Sequence, residues 1–260
     1  MSASDDPIVG PVTVPAATET VGGRPELGEI AEAINAMRAA RPRIHALVST
    51  VAQPLVANVA AALAVDISMT VEMPDVRAMI TSSDAVLINL GMLDKARREA
   101  AMAAVATGTR FVLDPVKVDR SGDRLGFAQT LVSAQPSIIK GNRGEMAALA
   151  PLDSDAVCVT TGPMDEVAAP DRRIIVANDT PILGRVIATG CATGFLMTAI
   201  HAVEPNPFVA ALAGTALMAV AGELAAEDAR LPGSFAVALI DKIADLNGED
   251  VARHVKLIDA

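Results

Sequence analysis

Five short apolar runs, at residues 66–70, 85–89, 110–113, 137–139 and 156–160, recur along this chain of 260 residues with helix-like segments such as 95–107 and 125–134 between them. Runs too short for a buried helix and without strict alternation are the mark of strands covered on both faces. Crossover helices between such strands make their neighbours parallel. A further strand at 43–48, flanked by helical patterns at 25–40 and 53–64, extends the series toward the N-terminus. The pattern predicts an α/β fold with a largely parallel sheet flanked by helices. From Cys191 onward it changes to helices alone, at 191–203, 207–228, 234–246 and 248–254, a helical layer that closes one face. Apolar residues make up 52% of the chain but aromatics only 2%, with no Trp and no Tyr. The core is therefore expected to be built from Ala, Val, Leu, Ile and Met at close backbone separations. Length and pattern indicate a single domain over 25–260, preceded by a loose arm over 1–24 that is rich in Pro, Gly, Thr and Ala.

A formal net charge of −10 and a pI near 4.8 argue against nucleic acid or an anionic membrane as partner, since the summed field repels both polyanions. The acidic start of the chain lacks a signal-peptide layout, and the apolar run near 207–222 ends in Glu223, so it reads as a buried helix. Cys158 and Cys191 show no CxxC spacing, and a cytosolic protein without disulfide or zinc is expected. His45, His201 and His254 have no metal-ligand spacing.

In open α/β sheets, ligands sit at the carboxyl ends of the strands. There the chain places Asn89-Leu90-Gly91, Asp114-Pro115, Lys140-Gly141-Asn142 with Glu145, and Thr160-Thr161-Gly162. Each alone is a common turn device, but together they form a rim. Asp114 and Glu145 suit a magnesium ion on a nucleotide, although Glu145 also fits the first turn of a helix, where the dipole favours an acid. Lys140 is either a phosphate-binding cation or a solvated strand end. Thr161-Gly162 offers a hydroxyl and close backbone approach, and Met69 is a soft wall or simply core. Downstream, Ala188-Thr189-Gly190-Cys191 opens an apolar helix, whose unpaired N–H groups favour phosphate. The plainer alternative is a strand-to-helix turn with a small buried thiol.

The order of these motifs over residues 41–251 resembles the hydroxyethylthiazole kinase family, a branch of the ribokinase-like fold. It is carried by Ile44-His45-Ala46, Ala57-Asn58, Met69, Asn89-Leu90-Gly91 with Leu93, and Leu113-Asp114-Pro115-Val116. Further on come Gly141-Asn142 with Glu145, Thr161-Gly162 with Asp165, Thr189-Gly190-Cys191, Asn206-Pro207 and Pro232-Gly233-Ser234-Phe235. The resemblance implies transfer of the ATP γ-phosphate to the hydroxyl of 4-methyl-5-(2-hydroxyethyl)thiazole in thiamine precursor salvage, with Mg2+, in a homotrimer whose sites lie at subunit boundaries. It puts Cys191 at the catalytic-base position, where a helix N-terminus is expected to lower a thiol pKa. It puts Met69, Ala188 and Gly190 at the substrate, Lys140, Asn142, Thr161 and Gly162 at ATP, and Asp114 and Glu145 at the metal.

The chain departs from the family pattern in several places. Lys140 replaces an Arg, Ala188 the first glycine of Gly-x-Gly-Cys, Val48-Ser49 a Thr-Asn, and Lys117 a Gly. Glu145 and Thr161 are only 16 positions apart, where the family places an additional helix. These changes also fit a kinase for another small alcohol, or a ligand-binding protein without catalysis.

Overall fold

A computed structural model describes residues 24–150 and 154–260, so the expected N-terminal arm, Arg24 excepted, lies outside the described residues. Arg24 itself is tied down: it donates to the Leu257 carbonyl at 3.0 Å and pairs with Asp259. In chain order the elements are α1 (Pro25–Ala40), β1 (Arg43–Leu47), α2 (Gln53–Ala62), β2 (Asp66–Ser68), α3 (Asp75–Thr81), β3 (Ala85–Asn89), α4 (Lys95–Thr107), β4 (Phe111–Asp114), α5 (Gly122–Ser133), β5 (Ile138–Asn142) and α6 (Arg143–Leu149). Then follow β6 (Val157–Thr161), β7 (Asp165–Ala169), β8 (Arg172–Val176), α7 (Thr189–His201), α8 (Pro207–Asp228), α9 (Pro232–Asp245), α10 (Gly248–His254) and β9 (Leu257–Asp259).

One nine-stranded sheet runs in the order β2-β1-β3-β4-β5-β6-β7-β8-β9. Its first six strands are parallel, as expected, and the last three are antiparallel. The hairpin β7–β8 was not expected because only one of its faces is apolar: Val167, Ile174 and Val176 are buried while Glu166 and Arg173 lie on the other side. Strand β9 corrects the reading that only helices follow Cys191. Three residues that complete an edge ladder through backbone hydrogen bonds need no apolar pattern, so the sequence does not announce them.

Side-chain alternation splits the core in two. Leu87, Val112 and Ile138 face α1, α2 and α7–α10, whereas Val86, Ile88, Leu113 and Ile139 face α3–α6. Small residues let the first layer close tightly: a Cβ on Gly214 of α8 would lie 2.8 Å from the Met197 amide nitrogen of α7. Among the described residues only α8 is long and apolar enough to cross a membrane, and 89% of its most apolar stretch is buried, as befits a core helix.

Candidate active site

The apolar runs Ala85–Asn89, Phe111–Asp114 and Ile138–Asn142 turn polar at Asn89, Asp114 and Lys140. In β3, Asn89 shares the parity of Leu87; in β4, Asp114 shares that of Val112; in β5, Lys140 shares that of Ile138. All three side chains therefore point to the face on which α7 packs. Register aligns them, since Asn89 pairs with Asp114, and the Leu113–Ile139 pairing sets Lys140 beside Asp114. The result is a buried polar row across three adjacent strands.

Asn89 Nδ2 donates to Asp114 Oδ2 at 2.8 Å and to Cys191 Sγ at 3.3 Å. Lys140 Nζ donates to the same Oδ2 at 3.1 Å and to the Gly190 carbonyl at 3.0 Å. Lys140 is only 4% exposed, so it is no solvated strand end. Glycines seat α7 on this row. A Cβ on Gly190 would lie 3.3 Å from Lys140 Nζ, and one on Gly194 would lie 3.3 Å from Leu87 Cδ1 and 3.7 Å from Asp114 Oδ2. The helix opens at Ala188, held at φ 74°, and Thr189 Oγ1 donates to the Leu183 carbonyl at 3.0 Å.

Burial disfavours both charges of the central pair. At Lys140 the neighbouring Asp114 carboxylate outweighs that cost together with Cys191 and Glu145, and the ammonium stays above its ordinary pKa. Burial lifts the Asp114 carboxyl, with the Lys140 ammonium opposing. The expectation of a lowered Cys191 pKa is overturned: burial, then the Asp114 charge, push the thiol up to about 11. Desolvation and an adjacent carboxylate outweigh the partial charge of the helix terminus.

Glu145 is the third residue of α6 and forms a reciprocal cap with Asn142. Its Oε2 accepts from the Asn142 amide at 2.9 Å, and Asn142 Oδ1 accepts from the Glu145 amide at 3.0 Å. Its Oε1 accepts from the Lys117 amide at 2.8 Å, fixing the turn after β4. The carboxylate thus has the helix-start duty foreseen as the alternative reading. Thr161 lies opposite Asn142, with Oγ1 donating to the Gly141 carbonyl at 3.4 Å. The Gly162 amide donates to Asp165 Oδ1 at 2.9 Å. Met69 sits apart, just past the edge strand β2, with β1 between it and the Asn89–Asp114 row.

The structure brings together Asp114, Lys140, Gly190 and Cys191, with Glu145 and Asn142 alongside. Asn89, one of the polar strand ends, bridges the acid and the thiol, a role that strand register alone assigns it. Its signal was present, a polar residue closing an apolar run as Asp114 does. Left-handed non-glycine residues flank the site at Met92 (φ 48°), Lys117 (φ 59°) and Ala188 (φ 74°). Among the described residues no group of three or more His, Cys, Asp or Glu gathers to hold a metal.

The sequence profile of the hydroxyethylthiazole kinase family matches residues 34–157 and 150–249. A probable hydroxyethylthiazole kinase of Agrobacterium fabrum is 35% identical over 240 residues, covering 91% of this chain and 97% of its own. The chain belongs to the hydroxyethylthiazole kinase family. Another relative, the hydroxyethylthiazole kinase of Serratia proteamaculans, is 32% identical over 81% of this chain and 90% of its own. The solved hydroxyethylthiazole kinase of Pyrococcus horikoshii superposes with a TM-score of 0.84 at 31% identity, over 89% of this chain and 98% of its own. A ribokinase-like superfamily protein of Enterococcus faecalis shares the fold, with a TM-score of 0.62 at 11% identity over 84% of this chain and 93% of its own. Members of the family are phosphotransferases with an alcohol acceptor, and the buried polar row under α7 lies at the strand ends where such a fold binds ligands.

Proposed function

We propose that this protein transfers the γ-phosphate of ATP to the primary hydroxyl of 4-methyl-5-(2-hydroxyethyl)thiazole, or a closely similar small alcohol, in the cytosol. The observation that carries the reading is the Asn89–Asp114–Lys140 row set under the first turn of α7. An attacking alcohol oxygen forms the new P–O bond as the bond from the γ-phosphorus to the β,γ-bridging oxygen breaks. ADP leaves, and the hydroxyl proton passes to phosphate or water. In a loose phosphoryl transfer the protein contributes positioning and charge neutralisation more than proton abstraction. The first amide groups of α7 and the Lys140 ammonium meet the phosphate oxygens. A thiol with a pKa of about 11 is protonated at neutral pH, so Cys191 packs and orients the alcohol.

Magnesium neutralises phosphate charge when bound. It needs only one or two carboxylates beside phosphate and water. Asp114 fits, because both of its side-chain hydrogen bonds fall on Oδ2 and leave Oδ1 to a cation. Glu145 would join it through lone pairs that its amide partners leave over. Thr161, Gly162 and Asn142 line the nucleotide side of this centre, Ala188 and Gly190 the alcohol side. Met69, on the sheet edge, is assigned to the thiazole ring at a boundary between copies in a homotrimer. Val51, Met92 and Ile187, each more than half exposed near the strand ends, give such an assembly apolar surface to cover.

Purified protein with magnesium, ATP and the thiazole alcohol is expected to yield the phosphate ester, read by phosphorus NMR. Absence of turnover across a panel of small alcohols overturns the reading. The brief crossover from β5 to β6, in which α6 is the one helix among the described residues, favours a second reading, a ligand binder. Calorimetry separates the two, because the binder takes the thiazole without magnesium-ATP.

A further inference from the structure

The Lys140 ammonium is already committed to Asp114 Oδ2 and the Gly190 carbonyl. A nucleoside triphosphate entering this corner brings several negative charges beside the carboxylates of Asp114 and Glu145, more than the Lys140 ammonium and a bound magnesium ion together offset. Lys117 stands at that corner. Its amide donates to Glu145 Oε1 at 2.8 Å, and it follows Asp114 by three residues on the turn leaving β4. Its side chain is exposed, and its ammonium forms no hydrogen bond or ion pair among the described residues. Its backbone is left-handed, at φ 59° and ψ 30°. A lysine there carries a steric cost that glycine avoids.

We propose that Lys117 is a binding residue for the terminal phosphates of the nucleotide, its flexible stem bringing a second ammonium beside Lys140. The inference rests on the phosphotransfer reading and adds to it the residue that neutralises the polyphosphate from the open side. The interaction is charge-assisted and partly solvated, so its loss is expected to weaken binding of a non-hydrolysable ATP analogue about five- to tenfold. Calorimetry on the wild type and on Lys117→Gln, Lys117→Gly and Lys117→Arg, with that analogue and with adenosine, tests it. The Gln and Gly variants are expected to lose affinity for the triphosphate and keep it for adenosine, while Arg retains both. Lys117→Gly is expected to melt no lower than wild type, which separates loss of contact from loss of fold. Triphosphate affinity unchanged in both Gln and Gly variants overturns the assignment. So does an equal loss for adenosine, which would mean that the residue merely shapes the turn. A wild type that binds no nucleotide at all sinks the phosphotransfer reading itself.

Discussion

Cys191 and Ala188 show how a single residue is redefined by what packs on it. A buried thiol beside Asp114, with a pKa of about 11, is about one part in a thousand thiolate at pH 8. In a Cys158→Ala background, Cys191 is therefore expected to react far more slowly with iodoacetamide than a free thiol, and alkylation at a free-thiol rate would refute the assignment. Because the protonated thiol packs and orients the alcohol and takes no proton, Cys191→Ser is expected to retain phosphoryl transfer; loss of activity in a folded variant counts against that role. Ala188 holds φ 74° with a Cβ that disfavours it, so Ala188→Gly is expected to gain about 1 kcal/mol. In a chain of this size that appears as a rise of roughly 2–4 °C in Tm.

At the scale of elements, the central pair ties β4 to β5 and both to α7. Removing Lys140 leaves Asp114 buried without its counter-charge, and Lys140→Ala is expected to cost on the order of 3–5 kcal/mol in urea unfolding. Adding Asp114→Asn is expected to return much of that loss, and strictly additive losses would mean that the two side chains do not interact. His45 joins β1 to β2 through Nδ1 and Ser68 Oγ at 2.7 Å, and burial lowers its pKa to about 4. The unfolded imidazole titrates near 6.5, so the unfolded state takes up the proton first as pH falls. Stability present above about pH 6.5 is lost progressively toward pH 4, on the order of 2 kcal/mol of it between pH 7 and 5. Unfolding at the two pH values is expected to show a shallower loss in His45→Gln than in wild type.

Over the whole molecule, a net charge of −10 repels polyanions while the site holds the Lys140 ammonium at one rim, which suits a small phosphate donor better than a nucleic acid. Light scattering is expected to give about three times the chain mass of 26.7 kDa, and a monomer at micromolar concentration would remove the trimer from the proposal.

Much of the fold was legible because strands buried on both faces write continuous apolar runs, and β3, β4 and β5 do so. Strands β7 and β8 were hidden because one of their faces is not apolar, and β9 because an edge ladder of three residues needs only backbone groups. Asp114, Lys140 and Cys191 could be named from the sequence, since a polar residue ending an apolar run and a thiol at a small-residue helix start are local signals. That Asn89, Asp114 and Lys140 form one row was decided by strand register, and that Cys191 sits on the row was decided by how closely Gly190 and Gly194 let α7 approach. Those are distances between segments remote in the chain. The chemical state of the site depends on them, because desolvation and neighbouring charge, which set the thiol and the ammonium, exist only once the helix has closed over the sheet.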